Sequence, residues 1–294
     1  MQNQLNTFRG YTFPVSPLQK LKLPIFTNAG IELFVKRDDL LDPLISGNKW
    51  RKLKYNLIEM DQLGKKGIAT FGGAFSNHLH AVAAAGQRFD FPTVGIVRGE
   101  MPIELSPTLK QCKEMGMNLY FVSRAAYRLK EESDEVQQVL TSCNDFFLVA
   151  EGGANEWGER GCSEIWREIE PSIDYLCVAC GTGTTLKGLV KGSRSHVQLV
   201  GFPVLKGMDE CPPLTDQDCK LMADYHFGGY AKHTTQLLNF IRDFEEKTRL
   251  PLEQVYTGKM MFGICDLVSK DYFPKGSKIV VLHTGGLQGR SPLI

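Results

Sequence analysis

Short apolar runs of strand length alternate along most of this chain with stretches whose apolar residues recur three and four apart, which limits the folds open to it. Trp50, Leu53, Leu57 and Met60 keep helical spacing, and Gly64 follows as a stop. Residues 68–71 then form an apolar run, and the Ala-rich residues 77–88 read as helix. The same change of period recurs downstream. Strands over 93–97, 119–122, 146–149, 175–180 and 197–202 are separated by helices over 106–115, 128–140, 158–168 and 184–190. Upstream, residues 24–27 and 32–35 read as two short strands. Strands that alternate with helices pair in parallel through right-handed crossovers, with helices on both faces of the sheet. The pattern predicts an α/β protein whose ligand lies at the carboxyl ends of the strands, where loops are free to vary.

The 294 residues suffice for one large or two modest domains, and no repeat, low-complexity segment or Pro/Ser-rich linker divides them. A composition of 43% hydrophobic and 23% charged residues is that of an ordinary globular protein rather than a disordered one. The 34 Lys and Arg against 33 Asp and Glu leave a net charge of +1, which argues against a nucleic-acid partner. No apolar run approaches the roughly 18 residues of a membrane span. Met1-Gln2-Asn3-Gln4 has neither the basic start nor the apolar core of a leader, so the cytoplasm is the expected compartment. Eight cysteines scattered through a long chain do not suggest a disulfide framework. Cys177 and Cys180 have C-x-x-C spacing but fall in a strand-like run, where residues three apart face opposite sides of a sheet. Buried structural thiols and no metal site are expected.

Three segments carry candidate chemistry. Gly181-Thr182-Gly183-Thr184-Thr185 follows an apolar run and opens a helical one. Small residues let the backbone wrap an anion, and a helix start supplies free N–H groups and a favourable dipole. The loop lacks the Gly-Lys-Ser/Thr of a P-loop and the third glycine of a dinucleotide fingerprint, so phosphate binding and a plain strand-to-helix turn both stay open. Lys49, in Ser46-Gly47-Asn48-Lys49-Trp50-Arg51-Lys52-Leu53, sits at a helix start after a glycine. There, reduced solvation can lower an ammonium pKa enough to make a nucleophile or base, although a surface lysine is the simpler reading. Ser76-Asn77-His78 opens a further helix, where capping is the plain alternative. Together, a phosphate cup, an amine able to form a Schiff base and a polar helix start are what pyridoxal phosphate requires.

In these motifs the sequence resembles a known family. Ser46-Gly47-Asn48-Lys49-x-Arg51-Lys52-Leu53, Gly72-Gly73-Ala74-x-Ser76-Asn77-His78, Val255-Tyr256-x-Gly258-Lys259-Met260 and His283-x-Gly285-Gly286 are similar, in unchanged order, to the pyridoxal-phosphate enzymes comprising D-cysteine desulfhydrase and 1-aminocyclopropane-1-carboxylate (ACC) deaminase. The resemblance implies the two-domain tryptophan-synthase-β-like fold (fold type II), with parallel-rich open sheets. It further implies a large cofactor domain over residues 1–48 and 152–294, a small domain over 49–151, and the cofactor in the cleft between them. Lys49 would attach the cofactor and then serve as the base at Cα. Gly181, Thr182, Gly183, Thr184 and Thr185 would hold the phosphate, and Asn77 the ring oxygen. Ser76, Asn77 and His78 would hold the substrate, with Ser76 also catalytic. Tyr256 would stack on the pyridine ring and Tyr230 would face the substrate, both counted as catalytic with Lys49 and Ser76, and Thr257 and Thr284 would lie near the pyridine nitrogen. A homodimer is implied as well. Gly228-Gly229-Tyr230-Ala231 is a looser match, and Leu287-Gln288-Gly289-Arg290 departs from the family's Pro-Ala-Leu continuation, in a region that shapes substrate choice.

Within the family, the deaminase pattern has Glu after the stacking Tyr and Leu in His-x-Gly-Gly, whereas the desulfhydrase pattern has Thr at both places. Here they are Thr257 and Thr284. A carboxylate beside the pyridine nitrogen would strengthen the electron sink, and a hydroxyl leaves it weaker. The weaker sink suits loss of a good leaving group from Cβ. The expected reaction is therefore β-elimination from D-cysteine to pyruvate, sulfide and ammonia, with ACC deamination second. A nicotinamide-dependent dehydrogenase and a non-catalytic pyridoxal-phosphate-binding protein are more distant alternatives. No acidic residue stands at the dinucleotide-binding distance beyond Gly183, which counts against the first.

Overall fold

The computed structural model describes residues 7–170, 172–207 and 219–294; Met1-Gln2-Asn3-Gln4, on which the expected compartment rested, lies outside them. In chain order come strands β1 (Thr7–Phe8), β2 (Tyr11–Thr12) and β3 (Leu18–Leu21), helix α1 (Pro24–Asn28) and strand β4 (Glu32–Lys36). Then follow α2 (Asn48–Gln62), β5 (Gly67–Gly72), α3 (Asn77–Phe89), β6 (Thr93–Arg98), α4 (Pro107–Glu114) and β7 (Met117–Val122). Next are α5 (Arg124–Leu129), α6 (Asp134–Ser142), β8 (Phe146–Val149), α7 (Glu156–Ser163), β9 (Tyr175–Cys180), α8 (Thr184–Lys191) and β10 (Gln198–Pro203). The described chain continues with β11 (Cys219–Leu221), α9 (Thr235–Thr248), α10 (Thr257–Ser269) and β12 (Lys278–Leu282). Among the described residues no helix is long and apolar enough to cross a membrane.

The chain divides into two compact units. Unit 1 comprises Met1–Pro14, Asp42–Ile45 and Lys49–Gly161. Its four-stranded sheet has the order β7-β6-β5-β8, with every pair parallel. All six residues of β5 are buried, as expected for a central parallel strand covered on both faces. One face packs Ala69, Phe71, Val94 and Ile96 against Ala126, Tyr127, Val136 and Val139 of α5 and α6. Elsewhere in the unit, Trp50 stacks on Phe89 with ring centroids 6.2 Å apart and is flanked by Tyr11 and Phe13.

Unit 2 comprises Val15–Leu41, Ser46–Asn48 and Cys162–Ile294. Its six-stranded sheet has the order β11-β10-β9-β12-β4-β3 and is parallel except for the antiparallel edge pair β3–β4. Two apolar layers cover its faces. Cys177, Val200, Val281 and Val35 belong to the layer built on α9 and α10, whereas Cys180, Val178, Leu199 and Leu282 belong to the layer built on Ile165, Trp166 and α8. The C-x-x-C pair is thus split between opposite faces of the sheet, and burial pushes the Cys177 thiol far up.

Three expectations about local structure require correction. Residues 24–27 are helical rather than extended: Pro24 presets the backbone angle of a first helical turn, Thr27 Oγ1 donates back to Leu23 O, and Phe26 is buried. The single helix expected over 128–140 is two helices. Ser123 caps the first, which ends at Lys130 with φ 52°, and Glu135 of the second accepts from the Ser123 N–H and hydroxyl. The helix over 158–168 begins earlier, at Glu156, and tightens into a 3-10 turn over Glu164–Glu168, where Trp166 Nε1 donates to Leu189 O at 2.7 Å.

Candidate active site

In unit 2 the buried strand β9 delivers the chain into Gly181-Thr182-Gly183 at the start of α8. Gly183 occupies the N-cap in the left-handed conformation, and no side chain caps the first turn, which leaves its N–H groups directed at whatever binds there. The Thr182 and Thr184 hydroxyls lie 2.9 Å apart, and Thr184 and Thr185 are buried. Thr185 Oγ1 accepts from Asn48 Nδ2 at 2.9 Å. The residue immediately before Lys49 is therefore fastened to the anion loop.

Two of the motifs quoted from the sequence prove to be partners. The Asn48 N–H donates to Thr284 O at 3.1 Å, at the carboxyl end of β12. Gly47 has φ +63°, and a Cβ there would overlap the Thr284 carbonyl and crowd the Gly285 nitrogen at 2.7 Å. Beneath this contact His283 is buried, with Nε2 donating to Pro251 O at 2.7 Å and Nδ1 3.3 Å from Asp39 Oδ1. Arg37 in turn holds Asp39 through two bonds of 2.9 and 2.7 Å. Thr284 is 7% exposed, and its hydroxyl makes no hydrogen bond among the described residues.

Tyr256 stands at the N-cap of α10 with its ring against the anion loop: a Cβ on Gly181 would sit 3.1 Å from the Tyr256 ring. Its backbone is held by Glu253, a residue the sequence reading did not select. The Glu253 carboxylate accepts from the N–H groups of Val255 at 2.6 Å, Tyr256 at 2.8 Å and Thr257 at 2.6 Å. Burial pushes the Glu253 carboxyl above its ordinary range, and these bonds oppose that rise. The Thr257 hydroxyl donates to Glu253 Oε1 at 3.1 Å and accepts from the Glu253 N–H at 3.1 Å, so it closes the helix cap. Tyr230 lies edge-on to Tyr256, with centroids 6.2 Å apart, and is 45% exposed.

In unit 1, Lys49 lies half-buried in the first turn of α2. The next turn is enclosed: a Cβ on Gly161 would overlap the Arg51 carbonyl, and Lys52 Nζ donates to Gly152 O at 3.0 Å. At the start of α3 the Ser76 hydroxyl caps the helix by accepting from the Leu79 N–H at 3.2 Å, and Asn77 follows half-buried. His78 is 2% exposed, with Nε2 2.9 Å from Thr70 Oγ1. Thr70 spends its one hydroxyl hydrogen on Val149 O at 2.7 Å, so the imidazole must donate to it. His78 Nδ1 is then an unprotonated acceptor, buried and without a partner among the described residues. Burial, followed by the charges of Lys49 and Lys52, holds His78 well below its usual pKa. A neutral imidazole held in this way resists protonation and offers Nδ1 as a hydrogen-bond acceptor.

The structure thus groups Gly181 to Thr185, Tyr256, Tyr230 and Thr284 with Asn48 in unit 2, and Lys49 with His78 at the α2 and α3 starts of unit 1. The Thr257 hydroxyl both donates to and accepts from Glu253, whereas Ser76 Oγ accepts the cap bond of α3. Glu253 and Asn48 carried a weak signal: an acid four residues before a threonine at a helix start, and an amide preceding the lysine. The residues fit pyridoxal phosphate. An uncapped helix start lined with threonines suits its dianion, and a flat aromatic ring rests on that loop. Among the described residues no three His, Cys, Asp or Glu side chains converge on a metal position.

Relatives of known description agree. The sequence profile of the family described as pyridoxal-phosphate dependent enzyme matches residues 12–285. The mitochondrial bifunctional D-cysteine desulfhydrase/1-aminocyclopropane-1-carboxylate deaminase of Arabidopsis thaliana is 28% identical, over 98% of this chain and 81% of its own. A 1-aminocyclopropane-1-carboxylate deaminase of Bradyrhizobium sp. (strain BTAi1) is 24% identical, over 96% of this chain and 95% of its own. Among solved structures, an ACC deaminase homologue superposes with a TM-score of 0.80 at 27% identity, covering 94% of this chain and 91% of that one. This chain belongs to the pyridoxal-phosphate dependent enzymes of fold type II, and within them it is ACC deaminase-like.

Proposed function

We propose that the protein catalyses β-elimination on a small amino acid, with D-cysteine as its preferred substrate: D-cysteine and one water give pyruvate, ammonia and hydrogen sulfide. The observation that carries the reading is the pair Thr257 and Thr284. Neither position offers a carboxylate, and the Thr257 hydroxyl is engaged on Glu253, so the Thr284 hydroxyl is the polar group left to meet the pyridine nitrogen. When bound, the cofactor supplies an electron sink for the pair left at Cα. Lys49 Nζ would hold the cofactor and, as a free amine, would take the Cα proton of the substrate. The α8 start with Thr182, Thr184 and Thr185 anchors the phosphate, and Asn48 ties the lysine's own backbone to that anchor. Tyr256 would cover one face of the ring, Asn77 would meet the ring oxygen, and the N–H groups at the α3 start would orient the substrate carboxylate. Hydrosulfide leaves readily near neutral pH, so a weak sink and little acid assistance suffice.

ACC deamination is the second reading, favoured by the names that the Bradyrhizobium protein and the Arabidopsis bifunctional protein carry. That reaction offers no Cα hydrogen and demands more of the sink. Purified protein supplied with pyridoxal phosphate and D-cysteine should release sulfide and pyruvate in equal amounts, and Lys49→Ala should abolish both. Absence of sulfide from the wild-type protein, with a normal visible cofactor band, would refute the reading.

A further inference from the structure

Helix α10 is apolar over most of its length, with Met260, Met261, Ile264, Leu267 and Val268 all buried, yet Lys259 is 1% exposed in their midst. A buried ammonium is costly, and an aliphatic side chain of similar size would serve packing better. Burial lowers its pKa to about 8, against the opposing charge of Glu253. What the ammonium holds offsets part of that cost. Nζ donates to His226 O at 2.9 Å and to Gly229 O at 2.8 Å.

Those two carbonyls belong to an unusual turn. Phe227, Gly228, Gly229 and Ala231 have φ of 52°, 91°, 115° and 56°, four left-handed residues within five, two of them with side chains. L-residues avoid that region, so the turn needs partners to persist. It supplies some itself, since the Gly228 N–H donates to His226 Nδ1 at 2.9 Å and the Lys232 N–H to Gly229 O at 3.1 Å. Tyr230 rides on this turn and, being 45% exposed, is not fixed by packing alone. Its ring faces Tyr256, which sits at the N-terminus of the same helix that carries Lys259.

We propose that Lys259 is a positioning residue for Tyr230: its ammonium clamps the left-handed turn by two carbonyls, so that α10 sets both active-site tyrosines, Tyr256 by its own backbone and Tyr230 through Nζ. The role in turnover rests on the reading that Tyr230 faces a small amino-acid substrate. The clamp itself does not.

Lys259→Met keeps the length and apolar stem and removes the donors, and Lys259→Arg restores charge and donors. Hydrogen exchange, followed by mass spectrometry on the cofactor-loaded protein at one pH, should show peptides spanning 226–232 exchanging at least tenfold faster in Lys259→Met, with the rest of α10 and the α8 loop unchanged. Lys259→Arg should recover most of the protection. In turnover of D-cysteine, Lys259→Met should raise KM about tenfold with a smaller change in kcat, while the visible cofactor band and its borohydride-reducible link to Lys49 persist. Unchanged exchange over 226–232, or a rise spread evenly along α10, would overturn the clamp. If Lys259→Met does not fold, Lys259→Gln, too short to reach both carbonyls, is measured in its place against the same criteria. A wild-type protein that lacks the cofactor band or sulfide release would refute the functional reading alone, because the exchange result stands without it.

Discussion

Gly47 shows how tightly single residues constrain this site. Its left-handed backbone brings the Asn48 N–H onto Thr284 O, and a methyl group has no room there. Gly47→Ala should cost about 3 kcal/mol, since strain and overlap act together, and urea denaturation at neutral pH reads it directly. The signal was visible in the sequence as Ser-Gly-Asn-Lys, but its partner, Thr284, lies far along the chain and no local pattern connects the two. His78 makes a second residue-level case. Burial holds its folded pKa well below the ordinary value of about 6.5, so the unfolded chain binds the proton more readily as pH falls through 6.5, and stability is lost on acidification. From pH 6.5 to 5.5 this group should remove on the order of 1 kcal/mol from the wild type. His78→Gln should flatten that part of the stability profile, and an unaltered acid slope would show that the buried imidazole is not the group responsible.

At the scale of elements, α10 is the best example of a helix start built for a task. Glu253 gathers three backbone N–H groups and the Thr257 hydroxyl, which fixes where Tyr256 points. Glu253→Gln replaces one acceptor oxygen by a donor facing those N–H groups and should cost about 1–2 kcal/mol. The expected readout is a lower denaturant midpoint with an unchanged slope. The parallel strands were legible from sequence because burial on both faces makes them unbroken apolar runs, as in β5 and β9. Pro24–Asn28 was not, because five residues show no period and the proline's preset angle was the deciding signal. Nor was the break after α5, which depends on a left-handed Lys130 and on Glu135 reaching back to Ser123.

For the molecule as a whole, the family and cofactor class were readable because four motifs keep their order along the chain, although none is decisive singly. Glu253 and Lys259 escaped notice as working residues because their roles depend on backbone groups that only the folded chain brings near. Cofactor binding should stabilise the protein by mass action: at a hundredfold excess over Kd the folded state gains about 3 kcal/mol. Stripping the cofactor should therefore lower Tm measurably, and adding it back should restore Tm. The most direct test of the proposed chemistry is kcat/KM for D-cysteine and for 1-aminocyclopropane-1-carboxylate on one cofactor-saturated preparation. The threonine pair at 257 and 284 predicts a clear preference for D-cysteine, with sulfide as product, whereas equal or greater turnover of the cyclopropane would contradict it.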